Sequence, residues 1–257
     1  MTRRLLAPII GIITFLALWE GFVRVMHVRR FILRAPSTAL RHLWDFRSGY
    51  LSGAWITIQH SLLGLAFALA AAILVGAALA SNHFLQKAVQ PVLTLVQVTP
   101  WFAYVSSVVV WLGFGTAPAL FMVTLVCLPA YVFATVDGMH SVEPAALELL
   151  ASVDARRSEV LWRLRLPAAL PGLFTTTRFN YGLSLAAAYY VEGANGASEG
   201  LGSIGRKAAS SSSKQAPDAV WAAVFAVATL GVVGLLLLSW LERVLLHWHA
   251  GQRVQDR

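Results

Sequence analysis

Few residues of this 257-residue chain could do chemistry, and spacing rejects most of them. Gly200-Leu201-Gly202-Ser203-Ile204-Gly205 matches the dinucleotide pattern G-x-G-x-x-G letter for letter. That pattern works only behind a strand, with an acid about twenty residues further on to hold the ribose. No strand-like run precedes it and Asp218 comes too soon, so the stretch reads as a glycine-rich loop leaving an apolar helix. It also falls short of a phosphate-binding P-loop, because Arg206 and Lys207 stand where Lys and Ser/Thr are required. His247 and His249 are two apart, on different faces of any helix, and imply no metal site. No pair of carboxylates shares a helical face, and no nucleophile stands beside a base. Cys127, the single cysteine, lies in an apolar run and forms no disulfide within the chain. Enzymatic chemistry, a resident metal and a bound cofactor are therefore not expected.

A second set of polar residues stands inside apolar runs. Gln97, Trp101 and Tyr104 cluster in one run, and Tyr189, Tyr190, Glu192 and Asn195 in another, with Arg178 a few turns earlier. Polar groups at membrane depth face a cavity or a partner rather than lipid. They are candidates for a translocation pathway. For each one singly, helix–helix hydrogen bonding or an interfacial aromatic belt is the weightier reading, and Arg178 reads as an anchor.

The elements that must position these residues are membrane helices. Hydrophobic residues make up 58% of the chain and charged residues 12%, half the share of a soluble domain, and mean hydropathy is +0.67. No Asp, Glu, Lys or Arg falls between Arg47 and Lys87, nor between Lys87 and Asp137. About 20 apolar residues span the hydrocarbon core, so the second gap holds two spans around the breaker Trp111-Leu112-Gly113-Phe114-Gly115-Thr116-Ala117-Pro118. The expected fold is all-α and integral to the membrane, in about six spans. These run from about Leu5 to Met26, Ile56 to Ala80, Val92 to Val110 (after Pro91), Ala119 to Val136, Pro167 to Gly193 and Ala219 to Leu241. The opening Met1-Thr2-Arg3-Arg4 suggests a signal peptide, but the apolar run is too long and lacks a small-x-small cleavage site, favouring a retained span.

Within span one, Glu20 and Arg24 stand i,i+4 with the acid first, the favourable order for a pair. Residues His27 to Trp55 read as interfacial, with a short amphipathic helix. Gly64, Ala68, Ala72, Gly76 and Ala80 place a small-residue ridge along span two, a surface for close helix packing. Ser210 to Ser213 read as a mobile loop. The net charge of +8 comes without a basic helix face or aromatic-interleaved patch, so loop arginines beside headgroups explain it better than nucleic acid does. Six spans put both termini on one side. Charge bias barely orients the chain: with Arg178 set aside as lying within a span, ten Lys or Arg fall on one side and nine on the other.

The basic stretch from Met139 to Leu166 reads as two short helices with a break. Pro144 suits a first helical position, and Leu147, Leu150 and Ala151 form an apolar face. Asp154 can cap the second helix and tolerates unusual backbone at the break. Val160, Leu161 and Leu164 give that helix its own stripe before Pro167. From the residues alone this is a loop lying on headgroups.

The same stretch resembles the cytoplasmic loop of binding-protein-dependent ABC importer permeases, patterned as Glu-Ala-Ala, three residues, Gly, nine residues, Ile, one residue, Leu-Pro. Glu148 matches the Glu, Leu149 and Leu150 replace the alanines, Asp154 replaces the Gly, Leu164 stands for Ile, and Leu166-Pro167 falls in register. The nitrate, sulfonate and taurine branch is similar at Pro100, Ala103, Trp111 to Gly115, Pro167 to Pro171, Arg178, Glu192, Gly200 to Gly202 and Glu242-Arg243 to Trp248, over roughly residues 90 to 250. The variant Glu148 to Ala155 looks most like members importing thiamine-precursor pyrimidines, riboflavin-like compounds or other heterocycles.

The resemblance implies a type I importer permease: one transmembrane domain over 1–257, with a cytoplasmic coupling loop at about 139–166. It implies an inner-membrane location with both termini cytoplasmic and a second permease copy or related permease. It also implies cytoplasmic ATPase subunits carrying ATP and Mg, and an extracytoplasmic solute-binding protein that holds most of the specificity. The helix from Glu143 to Val153 would sit in a groove of the ATPase, anchored by Leu147 and Leu150, with Glu148 and Arg156 or Arg157 as polar contacts. The solute would be small, organic or anionic. Two other classes remain open. An ion-coupled secondary carrier would show inverted repeats and work without ATP; a small polytopic membrane enzyme would need clustered Asp, His or Ser at one interface.

Overall fold

A computed structural model describes residues 2–196 and 199–245; His247, His249 and the Trp248 match lie outside the described residues. Those residues are all-helical. The helices are α1 (Thr2–Val25), α2 (Pro36–Asp45), α3 (Arg47–Ser81), α4 (His83–Val98), α5 (Val105–Leu112), α6 (Ala117–His140), α7 (Pro144–Ser152), α8 (Arg157–Val160), α9 (Leu166–Ala194), α10 (Leu201–Ala209) and α11 (Ala216–Leu245). A 3-10 turn, Trp101–Tyr104, precedes α5, and a π turn, Leu161–Arg165, joins α8 to α9.

Among the described residues α3, α6 and α11 are each long and apolar enough to cross a membrane alone, and α4 with α5 is apolar enough for a broken span or a re-entrant loop, bent by 86° at the break. The 24-residue α1 and 29-residue α9 are also long enough to span. α9 carries Arg178, Asn180 and Glu192 and is too polar to pass as apolar by itself. It need not be, because Asn180 and Glu192 are buried inside protein.

The bundle centres on α3, α6 and α9. The small-residue ridge of α3 meets α6 as expected: Ala68 and Ala72 are fully buried, a Cβ on Gly64 would stand 2.5 Å from Val123, and one on Gly76 2.6 Å from Thr135. Without a hydrophobic drive between helices in lipid, such backbone approach supplies the packing. Arg178 of α9 pairs with Glu242 of α11, an anchor as the sequence suggests. Glu20 pairs with Arg24 and also accepts from the Ser37 N–H at 2.9 Å, tying α1 to the start of α2. The amphipathic helix expected between His27 and Trp55 is α2.

Three expectations are corrected. Span three is not one straight helix beginning after Pro91. Asn82 caps the Leu85 N–H at 3.1 Å and starts α4 earlier, with Pro91 inside it. The break comes at Pro100, which drives Thr99 to extended backbone (ψ 131°). The stretch Gly200 to Gly205 is not a loop; Gly200 precedes α10, and the other residues lie within it. Asp154 does not cap α8: the Glu159 carboxylate accepts the Arg156 N–H at 2.9 Å instead. Asp154 ends α7. It takes φ +52°, its N–H bonds the Ala151 carbonyl at 3.1 Å, and the Ala155 N–H bonds the Leu150 carbonyl at 3.0 Å. This paired closure around a left-handed residue is the Schellman ending of a helix.

Candidate functional site

One carboxylate gathers three helices. Glu192, in the last turn of α9, is 1% exposed. Its Oε2 accepts from the Thr57 hydroxyl at 2.8 Å and from the Gly202 N–H at 3.1 Å, and its Oε1 lies 2.8 Å from His60 Nδ1. Thr57 and His60 stand i,i+3 on α3, facing the same way. With the carboxylate ionised, Nδ1–H is the donor. The Thr57 hydroxyl in turn accepts the Leu201 N–H at 2.9 Å, and the Ser203 hydroxyl donates to the Glu192 carbonyl at 2.7 Å. The first amides of α10, left without intrahelical acceptors, thus point at a negative charge and its relay.

Glycine makes this approach possible. A Cβ on Gly200 would fall 2.1 Å from Glu192 Oε2, one on Gly202 1.8 Å from the Tyr189 carbonyl oxygen, and one on Gly205 2.2 Å from the Tyr189 hydroxyl. The glycines that resemble a dinucleotide fingerprint therefore serve helix-on-helix contact. Asn195, just past α9, is also 1% exposed and holds both backbone groups of Gly115: its amide donates to the Gly115 carbonyl at 2.5 Å, and its oxygen accepts the Gly115 N–H at 3.3 Å. Gly113 and Gly115 take φ of +77° and +126°, which the turn between α5 and α6 requires.

Tyr190 is half exposed and meets Trp101 edge-on, with ring centroids 5.6 Å apart. Tyr189 and Tyr190 line a cavity of about 440 Å³ with Ser106, Arg206 and the glycine face of α10. Of the candidate pathway residues, Trp101, Tyr189, Tyr190, Glu192 and Asn195 lie at this end of α9. Tyr104 lines a separate apolar recess and Gln97 is exposed. Glu192 and Asn195 are spent on internal hydrogen bonds. Thr57, His60 and Arg206 escape the sequence reading of the site. Thr57 and His60 carry a usable signal, being polar residues one helical turn apart in a span without charge; Arg206 carries none.

At the opposite end, the α3 and α6 termini meet where the Ala80 carbonyl lies 3.3 Å from His140 Nε2, and the segment Ser141 to Arg165 projects beyond them. α7 packs on no other helix to any extent. Glu143, Glu148, Asp154, Arg156 and Arg157 are exposed, and Leu147 and Leu150 half-buried; the fully outward apolar side chains are Leu149 and Val153.

The sequence profile described as the binding-protein-dependent transport system inner membrane component matches residues 64–247. The chain is 26% identical to the taurine transport system permease protein TauC of Escherichia coli, over 97% of this chain and 92% of that one. It is 25% identical to the formylaminopyrimidine transport permease protein ThiX of Halalkalibacterium halodurans, over 96% and 97%. In fold it resembles the inward-facing MetNI methionine ABC transporter, with TM-score 0.63 at 18% identity over 78% of this chain and 96% of that chain. It also resembles an amino acid ABC transporter, with TM-score 0.62 at 12% identity over 79% and 97%.

Proposed function

Because this chain belongs to the binding-protein-dependent transport system inner membrane components, and so is the permease component of an ABC importer, we propose that it is driven through the segment Pro144 to Arg165. The profile match carries the importer reading. Supporting the drive point is a helix, α7, that stands clear of the bundle on the connection between two of its central helices, α6 and α9. Separate cytoplasmic ATPase subunits grip α7. Glu143, Glu148, Arg156 and Arg157 supply polar contacts, with Leu147 and Leu150, joined by Leu149 and Val153, the apolar ones. Asp154 sets the angle at which the chain leaves the grip. A second permease, identical or related, completes the pathway, and an extracytoplasmic binding protein delivers the solute.

In this reading the α7 end is cytoplasmic. The α1 terminus near Arg24 and the α11 terminus near Asp218 lie together at the opposite end, bridged by the Trp19–Trp221 contact, which leaves residues 2 and 245 on the cytoplasmic side. Relatives named for taurine and formylaminopyrimidine point to a small organic solute.

Proteoliposomes test this. With ATP supplied on the α7 side, the purified complex should accumulate solute; Leu150→Arg and Glu148→Arg should abolish accumulation while the protein stays folded in the membrane. Undiminished uptake by both variants would remove the coupling role. Uptake driven by an ion gradient alone would favour a secondary carrier.

A further inference from the structure

The cavity lined by Tyr189, Tyr190, Ser106 and Arg206 has a chemical character that the hydrogen-bonded core beside it does not use. Its volume, about 440 Å³, is within the range of small-molecule sites. Among the described residues lining it, Arg206 is the only charged one, and no acid among them pairs with its guanidinium. The neighbouring carboxylate, Glu192, is turned away and already holds Thr57, His60 and the Gly202 N–H.

Arg206 is also well placed. It stands i,i+4 from Gly202 on α10, so both share the face that meets α9. A Cβ on Gly193 would be 3.6 Å from Arg206 Cβ. With the α10 amides fixed on Thr57 and Glu192, the guanidinium projects from a helix that cannot slide. Tyr189 and Tyr190 also line an almost wholly apolar recess of about 340 Å³ with Trp101. A cation on one side of a tyrosine pair and an apolar recess on the other suit a solute with one anionic group and a less polar body.

We propose that this cavity is a solute subsite of the permease itself, where Arg206 receives the anionic group of a small solute and Tyr190 its body. The assignment rests on the importer reading, which puts this end of α9 at the extracytoplasmic mouth, and it extends that reading to the class of solute.

Thiol chemistry tests it without a known substrate. In the full chain, Ser106→Cys adds a cavity thiol, the native Cys127 being buried. Its reaction rates with anionic 2-sulfonatoethyl methanethiosulfonate and with the trimethylammonium analogue are measured in phosphatidylcholine nanodiscs, each normalised to a free thiol. The expected preference for the anionic reagent is roughly tenfold, the effect of one cation at close range. Arg206→Gln should erase the preference, Arg206→Lys should keep most of it, and added ethanesulfonate, but not tetramethylammonium, should slow the reaction. A thiol inert to both reagents, equal normalised rates, or a preference that survives Arg206→Gln overturns the proposal. So does loss of the preference when a few per cent of phosphatidylglycerol is added to the disc at high salt, since a net-anionic headgroup would then occupy Arg206. None of these readings needs ATP or a partner, so the subsite can fail while ATP-driven uptake by the unmodified complex stands, or the reverse.

Discussion

Glu192 satisfies three buried donors from two other helices. Truncation to alanine leaves Thr57, His60 and the Gly202 N–H to desolvate unmatched, at roughly 1–3 kcal/mol for each unsatisfied group before relaxation. We expect Glu192→Ala to lower stability in detergent by about 2–4 kcal/mol, read as a fall in unfolding temperature. Glu192→Gln, whose amide oxygen still accepts, should fall by less than half as much. Equal stability of wild type and Glu192→Ala would mean that α10 is held by something other than this carboxylate. Glu192 and Asn195 are committed to internal partners, so the proposed subsite rests on Tyr189, Tyr190 and Arg206 instead.

At the scale of elements, each break is set by a backbone requirement. Pro100 ends α4 through the residue before it, Gly113 and Gly115 turn α5 into α6, and Asp154 closes α7 at φ +52°. An aspartate in the left-handed region is strained relative to glycine, the residue found there in related loops. Asp154→Gly should therefore protect the amides of residues 144–155 from hydrogen exchange by up to about fivefold more, corresponding to a gain of about 1 kcal/mol. Asp154→Val, β-branched at the same angle, should expose them. The opposite order would show that the Asp154 side chain stabilises the turn. This strain was half legible: the register with the glycine pattern marked the position, while the assignment of Asp154 as the cap of α8 missed that Glu159 reaches the Arg156 N–H.

Across the whole molecule, two ends differ in kind. One carries the projecting α7, the other the Glu192 node, α10 and the cavity, and α9 joins them over 29 residues, about 43 Å at 1.5 Å per residue. In the proposed drive, motion applied at the first turn of α9 would reach Tyr189 and Tyr190 along one helix, which the Arg178–Glu242 pair braces midway. The proposed orientation predicts that Ser213→Cys, between α10 and α11, reacts with an impermeant thiol reagent from outside intact cells. Ser152→Cys at the end of α7 should react only after permeabilisation. The reverse pattern would place the driving segment outside and end the importer orientation.

Composition and charge-free intervals determined by themselves that this is a multi-span helical membrane protein, because lipid permits few structures, and the resemblance carried by Glu148, Asp154 and Leu166-Pro167 added the permease family. Hydropathy also located α3, α6 and α11, and the ridge of Gly64, Ala68, Ala72 and Gly76 was readable as a packing face because helical periodicity is local. Tertiary structure alone decided that the glycine run packs as a helix against α9 and that Thr57 and His60 meet Glu192. Those outcomes depend on contacts between residues up to 144 positions apart, as from Thr57 to Leu201, and one-dimensional spacing carries no information about which distant donor finds a buried carboxylate.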